Sequence, residues 1–177
     1  MHTDAERRER FEALAREVWV PVQRYLVRRA GPADAEDLVA EVLLVLWRRF
    51  DDVPPDAGLP WAYKVAQGVL ANARRSQDRR LKLLRRLRDE PPIAPPGDDD
   101  PPLREALARL RPQEQEVLRL WAWEGLEARD IAVVLGVTAN AAAVRLSRAR
   151  HALRKELGKD HVAPGQRPGT EEEVRRS

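Results

Sequence analysis

The segment from Asp89 to Pro102, DEPPIAPPGDDDPP, constrains this chain more than any other. It holds six prolines and five acids. Proline fixes φ and removes a backbone donor, and clustered acids repel one another, so the segment suits neither a core nor a regular helix. It reads as an extended acidic linker, residues 89–102, with a large loop inside one domain as the alternative. On the linker reading, the 177-residue chain folds as two small blocks. With 43% hydrophobic residues, each block has enough apolar side chains for a core of its own.

Both blocks carry helical periodicity. Phe11, Leu14, Val18, Val22 and Tyr25 recur at three- and four-residue steps, with Pro21 inside the pattern predicting a kink or a split. Gly31-Pro32 ends that helix, and Asp34 is placed to cap the next. Val39, Val42, Leu43, Leu46 and Phe50 form its apolar stripe. This leaves Asp37, Ala40, Glu41, Leu44 and Arg48 exposed, either a protein-docking face centred on Leu44 or a solvated face with one stray leucine. Asp51 to Leu59 is turn material, and Pro60 suits the first turn of a third helix carrying Trp61, Val65, Val69 and Leu70. From Arg74 to Arg88 that helix turns strongly basic. The predicted fold is all-α: a helical domain over residues 5–88, the linker, a helix-turn-helix domain over 103–157, and a disordered tail over 158–177.

The sharpest signal lies between Glu127 and Leu157. Ile131, Ala132 and Leu135 share one face of a short helix, Gly136 suits a left-handed turn, and Thr138 can cap a second helix. That second helix buries Ala142, Leu146, Ala149 and Leu153, whose small members let the first helix approach closely. Its other face presents Asn140, Ala143, Val144, Ser147, Arg148, His151 and Arg154, flanked by Arg145 and Arg150. A short helix, a glycine turn and a longer basic helix match the geometry that reads a major groove. Arginine there can reach guanine edges or phosphates. Arginine far outnumbers lysine throughout, which genomic base composition explains equally well.

Several classes find no support. There are no cysteines, and His2, His151 and His161 are scattered, so no metal site is expected. No nucleophile–base constellation or phosphate-cradling glycine loop is present, so no catalytic residue, cofactor or small-molecule substrate is expected. No stretch approaches the roughly 20 apolar residues of a membrane span, and the N-terminus lacks the apolar core of a signal peptide. A cytoplasmic location is the expectation.

These blocks resemble, in order, those of extracytoplasmic-function (group 4) bacterial RNA polymerase sigma factors, over about residues 10–157. Ala35-Glu36-Asp37-Leu38-Val39-Ala40-Glu41-Val42-Leu43, ending in Leu46-Trp47, is similar to the family's polymerase-binding motif, with Ala40 for the usual Gln. Trp61-Ala62-Tyr63-Lys64-Val65-Ala66-Gln67-Gly68, with Asn72 and Arg75, is similar to its promoter-melting motif, with Gln67-Gly68 for Arg-Asn. Asp130-Ile131-Ala132, Leu135-Gly136-Val137-Thr138 and Arg145-Leu146-Ser147-Arg148-Ala149-Arg150 resemble its helix-turn-helix. In the leader helix, Gln115-Glu116 stands where an Arg is common, and Asn140-Ala141 and Val144 depart from the residues usual on the recognition helix.

The resemblance implies three surfaces. Asp37, Ala40, Glu41, Leu44 and Arg48 would bind core RNA polymerase at its clamp coiled coil. Trp61, Tyr63, Lys64, Gln67, Asn72 and Arg75 would hold the melted −10 strand, with the Asp51–Pro60 loop capturing a flipped base. Asn140, Ala141, Val144, Arg145, Arg148 and Arg150 would read the −35 element of promoter DNA. The family also implies an anti-sigma factor as a partner, and an acidic linker that mimics a transcript. The competing readings are a conventional helix-turn-helix regulator and a degenerate sigma-like interaction protein.

Overall fold

The structure, a computed structural model, describes residues 4–85 and 101–160. The expected linker up to residue 100, the end of the basic run and the tail beyond 160 lie outside the described residues. Seven α-helices and no strand occur among the described residues: α1 (Asp4–Ala30), α2 (Pro32–Arg48), α3 (Gly58–Arg85), α4 (Pro101–Ala108), α5 (Pro112–Ala122), α6 (Ala128–Leu135) and α7 (Ala139–Asp160). A single 3-10 turn, Phe50–Asp52, follows α2.

Helices α1, α2 and α3 pack mutually. Val18, Val22 and Leu26 of α1 meet Val39, Val42 and Leu46 of α2 and Ala62, Ala66 and Val69 of α3 in a buried apolar core. At one end Phe11 makes edge contacts with Trp47 and Phe50, at 5.0 and 5.6 Å between ring centroids. Such pairs add about 0.5–1.5 kcal/mol beyond the area they bury.

The course of α1 and the start of α2 differ from expectation. Helix α1 runs on through Pro21 without a break. Proline inside a helix costs about 3 kcal/mol. Burial of Val18, Val22 and Leu26 around it returns roughly 1.5–3 kcal/mol per side chain, which offsets that cost. Helix α2 begins at Pro32, ahead of the Asp34 cap predicted from the sequence. Gly31 takes φ +87, turning the chain sharply enough for Pro32 to open the helix. Asp34 falls in the first turn, where its charge still favours the helix dipole.

In the second half α7 packs on α4, α5 and α6. Leu107, Leu110, Leu118 and Ala149 form a small cluster with Leu103, Leu146, Ala152 and Leu153 around them. Pro101 and Pro102, assigned to the linker in the sequence reading, occupy the first turn of α4, a position that needs no backbone donor. Helix α7 extends through Gly158, where the sequence reading began the tail.

The two halves do not stand apart. Helix α3 packs along α6, and the first core continues through Leu120, Leu126, Ile131, Ala132, Val134 and Ala142. Rather than each half closing only on a core of its own, the N-terminal core reaches across and takes in the inner face of the helix-turn-helix unit.

Gly136 closes α6 at φ +64, ψ +39, and its amide reaches back to the carbonyl of Val133 at 3.4 Å. A Cβ there would meet nothing within 4 Å, so only the backbone resists substitution. Gly136→Ala is expected to lower stability by about 1–2 kcal/mol, the cost of a left-handed non-glycine residue, as read by thermal or denaturant unfolding.

Candidate nucleic-acid interface

Helices α6 and α7 meet at 105°, inside the range of helix-turn-helix units. The Thr138 hydroxyl accepts the Ala141 amide at 3.2 Å and so caps α7 as its sequence predicts. Ala142 and Ala149 are fully buried, which seats α7 close against its neighbours. Asn140, Val144, Arg145, Arg148 and Arg150 are exposed, and Ala141 is half-buried. Arg145 and Arg148 make no ion pair among the described residues, so their guanidinium groups stay available to phosphates or base edges. Arg150 lies over the ring of Trp121, 4.8 Å from its centroid. Val144 presents an apolar side chain on the same face.

On α2, Asp37, Ala40, Glu41, Leu44 and Arg48 fall on one exposed stripe, as the periodicity requires. Leu44 is 47% exposed, an uncommon position for a leucine between charged neighbours.

The six residues assigned to promoter melting divide between two faces of α3. Lys64, Asn72 and Arg75 are exposed, and with Trp61 they line one stripe along the helix. Arg75 donates to the Asn72 side-chain oxygen. The half-buried Trp61 ring is flanked by the Lys64 ammonium at 4.8 Å and the Arg49 guanidinium at 5.6 Å. Its indole Nε1 is buried with no hydrogen-bond partner among the described residues. Tyr63 and Gln67 point the other way, toward the second half. Tyr63 is 2% exposed and stacks at a tilt on Tyr25, 5.3 Å between ring centroids. Gln67 lines a cavity of about 150 Å³ with Tyr25, Arg29, Arg74, Glu116 and Arg119.

The residue that organises this second face went unnoticed in the sequence. Glu124, in the turn after α5, has a side chain only 1% exposed. Arg29 Nη1 donates to it at 2.9 Å, Arg28 pairs with its other oxygen, and its charge acts on the Tyr63 hydroxyl. Arg29 Nη2 reaches Glu116 at 3.1 Å, and its guanidinium lies 3.7 Å over the Tyr25 ring. The Nε atoms of Arg28 and Arg29 are buried without partners among the described residues. Burial works against the charge on Arg29, but Tyr25, Glu116 and Glu124 outweigh it and raise its pKa. The signal was present: Arg29 follows Val18, Val22 and Tyr25 on one stripe of α1, and a cation at a core position requires a buried acid.

Helical content, a groove-reading unit and a separate basic helix define a DNA-binding protein built from two helical units. Comparison with known proteins sharpens this. Residues 11–80 match the model of Sigma-70 region 2, and residues 102–153 match that of Sigma-70, region 4. The RNA polymerase sigma factor CarQ of Myxococcus xanthus is 33% identical over 145 residues, covering 77% of this chain and 83% of CarQ. The probable RNA polymerase sigma factor RfaY of Xanthomonas campestris is 28% identical over 151 residues, 77% of this chain and 38% of RfaY. Among solved structures, the sigma factor RpoE from Bartonella quintana, crystallised with the anti-sigma factor NepR, superposes with a TM-score of 0.61 at 21% identity, over 86% of this chain and 99% of that one. CnrH, in complex with the cytosolic domain of CnrY, superposes at 0.57 and 24% identity, over 86% and 90%. The chain belongs to the extracytoplasmic-function (group 4) family of RNA polymerase sigma factors, which direct core RNA polymerase to promoter DNA to begin transcription.

Burial, and then the nearby Glu124 carboxylate, push the Tyr63 hydroxyl up to about 12, and burial raises Tyr25 further still. These are the only two tyrosines in the chain. Because the folded value lies above the ordinary 10, the stability Tyr63 contributes is complete below pH 10 and fades as pH climbs toward 12. Ultraviolet titration of the folded protein is expected to show no tyrosinate near pH 10 and a first transition near 12. Unfolding in guanidinium should return both groups to about 10.

Proposed function

We propose that this sigma factor initiates transcription through three exposed surfaces. The α2 stripe, Asp37, Ala40, Glu41, Leu44 and Arg48, docks on the clamp coiled coil of core RNA polymerase. Leu44 supplies the apolar anchor and the flanking charges fix register. The α7 face, with Asn140, Ala141, Val144, Arg145, Arg148 and Arg150, lies in the major groove of the −35 element. Arg148 reads a base edge, Val144 takes a thymine methyl, and Arg150 holds a phosphate from its seat on Trp121.

The melted −10 strand runs along Trp61, Lys64, Asn72 and Arg75. Its backbone contacts Lys64 and Arg75, and the unpartnered Trp61 Nε1 and the loop before it hold one flipped base. Tyr63 and Gln67, grouped with these by resemblance, face the second half, Tyr63 buried and Gln67 beside the cavity. The protein acts without chemistry of its own. No single helix among the described residues is long and apolar enough to cross a membrane, and we assign the chain to the cytoplasm, where polymerase and promoter meet. RpoE was crystallised with an anti-sigma factor and shares this fold, which supports a protein of that kind as a partner here.

The observation that carries the reading is the order of the two sigma regions along a chain whose reading helix leaves Arg145 and Arg148 unpaired. Purified chain added to core polymerase and genomic fragments is expected to give transcripts from discrete start sites. A chain that does not associate with core polymerase would refute the reading. Arg148→Ala should weaken upstream-element binding by about 1–3 kcal/mol and relax specificity at one base pair. Leu44→Asp is expected to leave DNA contacts intact and to weaken core polymerase binding by about 1–2 kcal/mol, measured by titration of labelled chain with core enzyme.

A further inference from the structure

We infer that Arg7, near the start of α1, is a positioning residue for promoter melting: it holds the loop between α2 and α3 in the shape that receives the flipped base. The inference rests on the base-holding role given to that loop above, and names what sets its geometry.

A loop that captures a base works best when its shape is set beforehand, because ordering it on binding costs affinity. Regular structure supplies little of that order between Arg48, where α2 ends, and Gly58, where α3 begins. The Phe50–Asp52 turn is followed by one more, closed by the Ala57 amide on the Pro54 carbonyl at 3.1 Å. Asp51, Asp52, Pro55 and Asp56 are exposed. The anchor is α1. Arg7, Phe11 and Leu14 follow one another along the face of α1 that goes on to bury Val18 and Val22. Leu14 closes on the far end of the loop, so near that a Cβ on Gly58 would meet its Cδ1 at 2.7 Å. Phe11 sits edge-on to Trp47 and Phe50 at the near end.

Arg7 completes that near anchor. Its guanidinium straddles the break between α2 and the 3-10 turn. Nη2 donates to the Trp47 carbonyl at 2.8 Å, in the last turn of α2, where carbonyls lack helical partners and a cation is favoured. Nε lies 3.3 Å from both carboxylate oxygens of Asp51. The group also stands 4.2 Å from the Trp47 ring centroid and 5.8 Å from that of Phe50. Asp51 is 78% exposed, and an ion pair so open to water holds little by itself. Joined to the carbonyl and the two rings, it fixes the direction in which the chain leaves α2. Only a planar, forked cation makes these contacts at once. They also neutralise Asp51 where an anionic strand has to approach. Arg49 does the same for Asp52 at 3.1 Å, and its guanidinium ties the turn to the Trp61 ring at 5.6 Å. Arg7 thus acts on the strand through the loop.

The chain contains no cysteine, so Asp56→Cys gives a single spin label on the exposed part of the loop. In the free chain Arg7→Ala should sharpen the label's spectrum, the sign of a looser loop, with helix content by circular dichroism unchanged. The second readout is binding of unlabelled holoenzyme to a fork-junction promoter, duplex through the −35 element and single-stranded across the −10 element. Arg7→Ala should weaken that binding about tenfold, the scale of one lost charge-assisted hydrogen bond. An abasic site is then stepped along the unpaired strand. At the position whose base enters the loop, wild-type binding should fall and the Arg7→Ala deficit should vanish, since no base is left to position. A purely structural role would leave the same deficit at every position.

Arg7→Lys and Asp51→Ala each keep part of the arrangement. They should give intermediate spectra and smaller losses, and they carry the test if Arg7→Ala loses helicity. A wild-type spectrum in all three variants would overturn the inference. So would wild-type promoter binding by Arg7→Ala, or a deficit that persists at every abasic position. A wild-type holoenzyme indifferent to an abasic site at every position would refute the base-holding role of the loop instead, and the label would still report whether Arg7 orders it.

Discussion

A carboxylate with 1% of its side chain exposed must be matched by cations that reach it, and Glu124 settles much of this structure by that requirement. Its cationic partners, Arg28 and Arg29, come from the last turn of α1. Meeting both fixes how the turn after α5 sits against the first half. The apolar contacts among Leu120, Leu126, Ile131 and the α3 face follow that placement. Removing one member of such a cluster leaves its partners buried and uncompensated, typically at about 3–5 kcal/mol, whereas separating all of them into water does not. The loss of any one charged member is therefore felt by the whole cluster.

Most of the fold could be read along the chain because it is built from local rules. Helical stripes at three- and four-residue steps gave α1, α2, α3 and α7, and all five residues of the α2 stripe lie exposed together. Gly136 and Thr138 announced the turn through their conformational preferences, and each adopts the role its chemistry favours. The errors were also local. Pro21 and Asp34 each carry a propensity that tertiary burial or a neighbouring glycine overrides.

The seam was illegible for the opposite reason. Glu124 sits in a short turn with no periodicity around it, and its arginine partners lie 95 and 96 residues away. A single acid in a loop looks like surface. Tyr63 reads two ways in the sequence because an aromatic beside Lys64 and Trp61 suits base stacking as well as burial, and one helix offers both faces within a single turn. Resemblance groups it with the nucleic-acid stripe; the surroundings that bury it include the far half of the chain. The one available hint, a cation on the apolar stripe of α1, shows that an acid is needed but not which one.

Glu116 carries a consequence for how freely halves of such proteins can be exchanged. It stands where the family resemblance leads one to look for an arginine, and here it faces Arg29. A C-terminal half borrowed from a relative with the commoner residue would set two guanidinium groups against each other beside a buried arginine. Such a chimera would keep its promoter-reading helix and its polymerase-docking stripe, since neither touches this seam. It would lose only the mutual fit of its parts at rest. The two halves of this chain are thus matched to each other at Arg29 and Glu116, not only to what they bind.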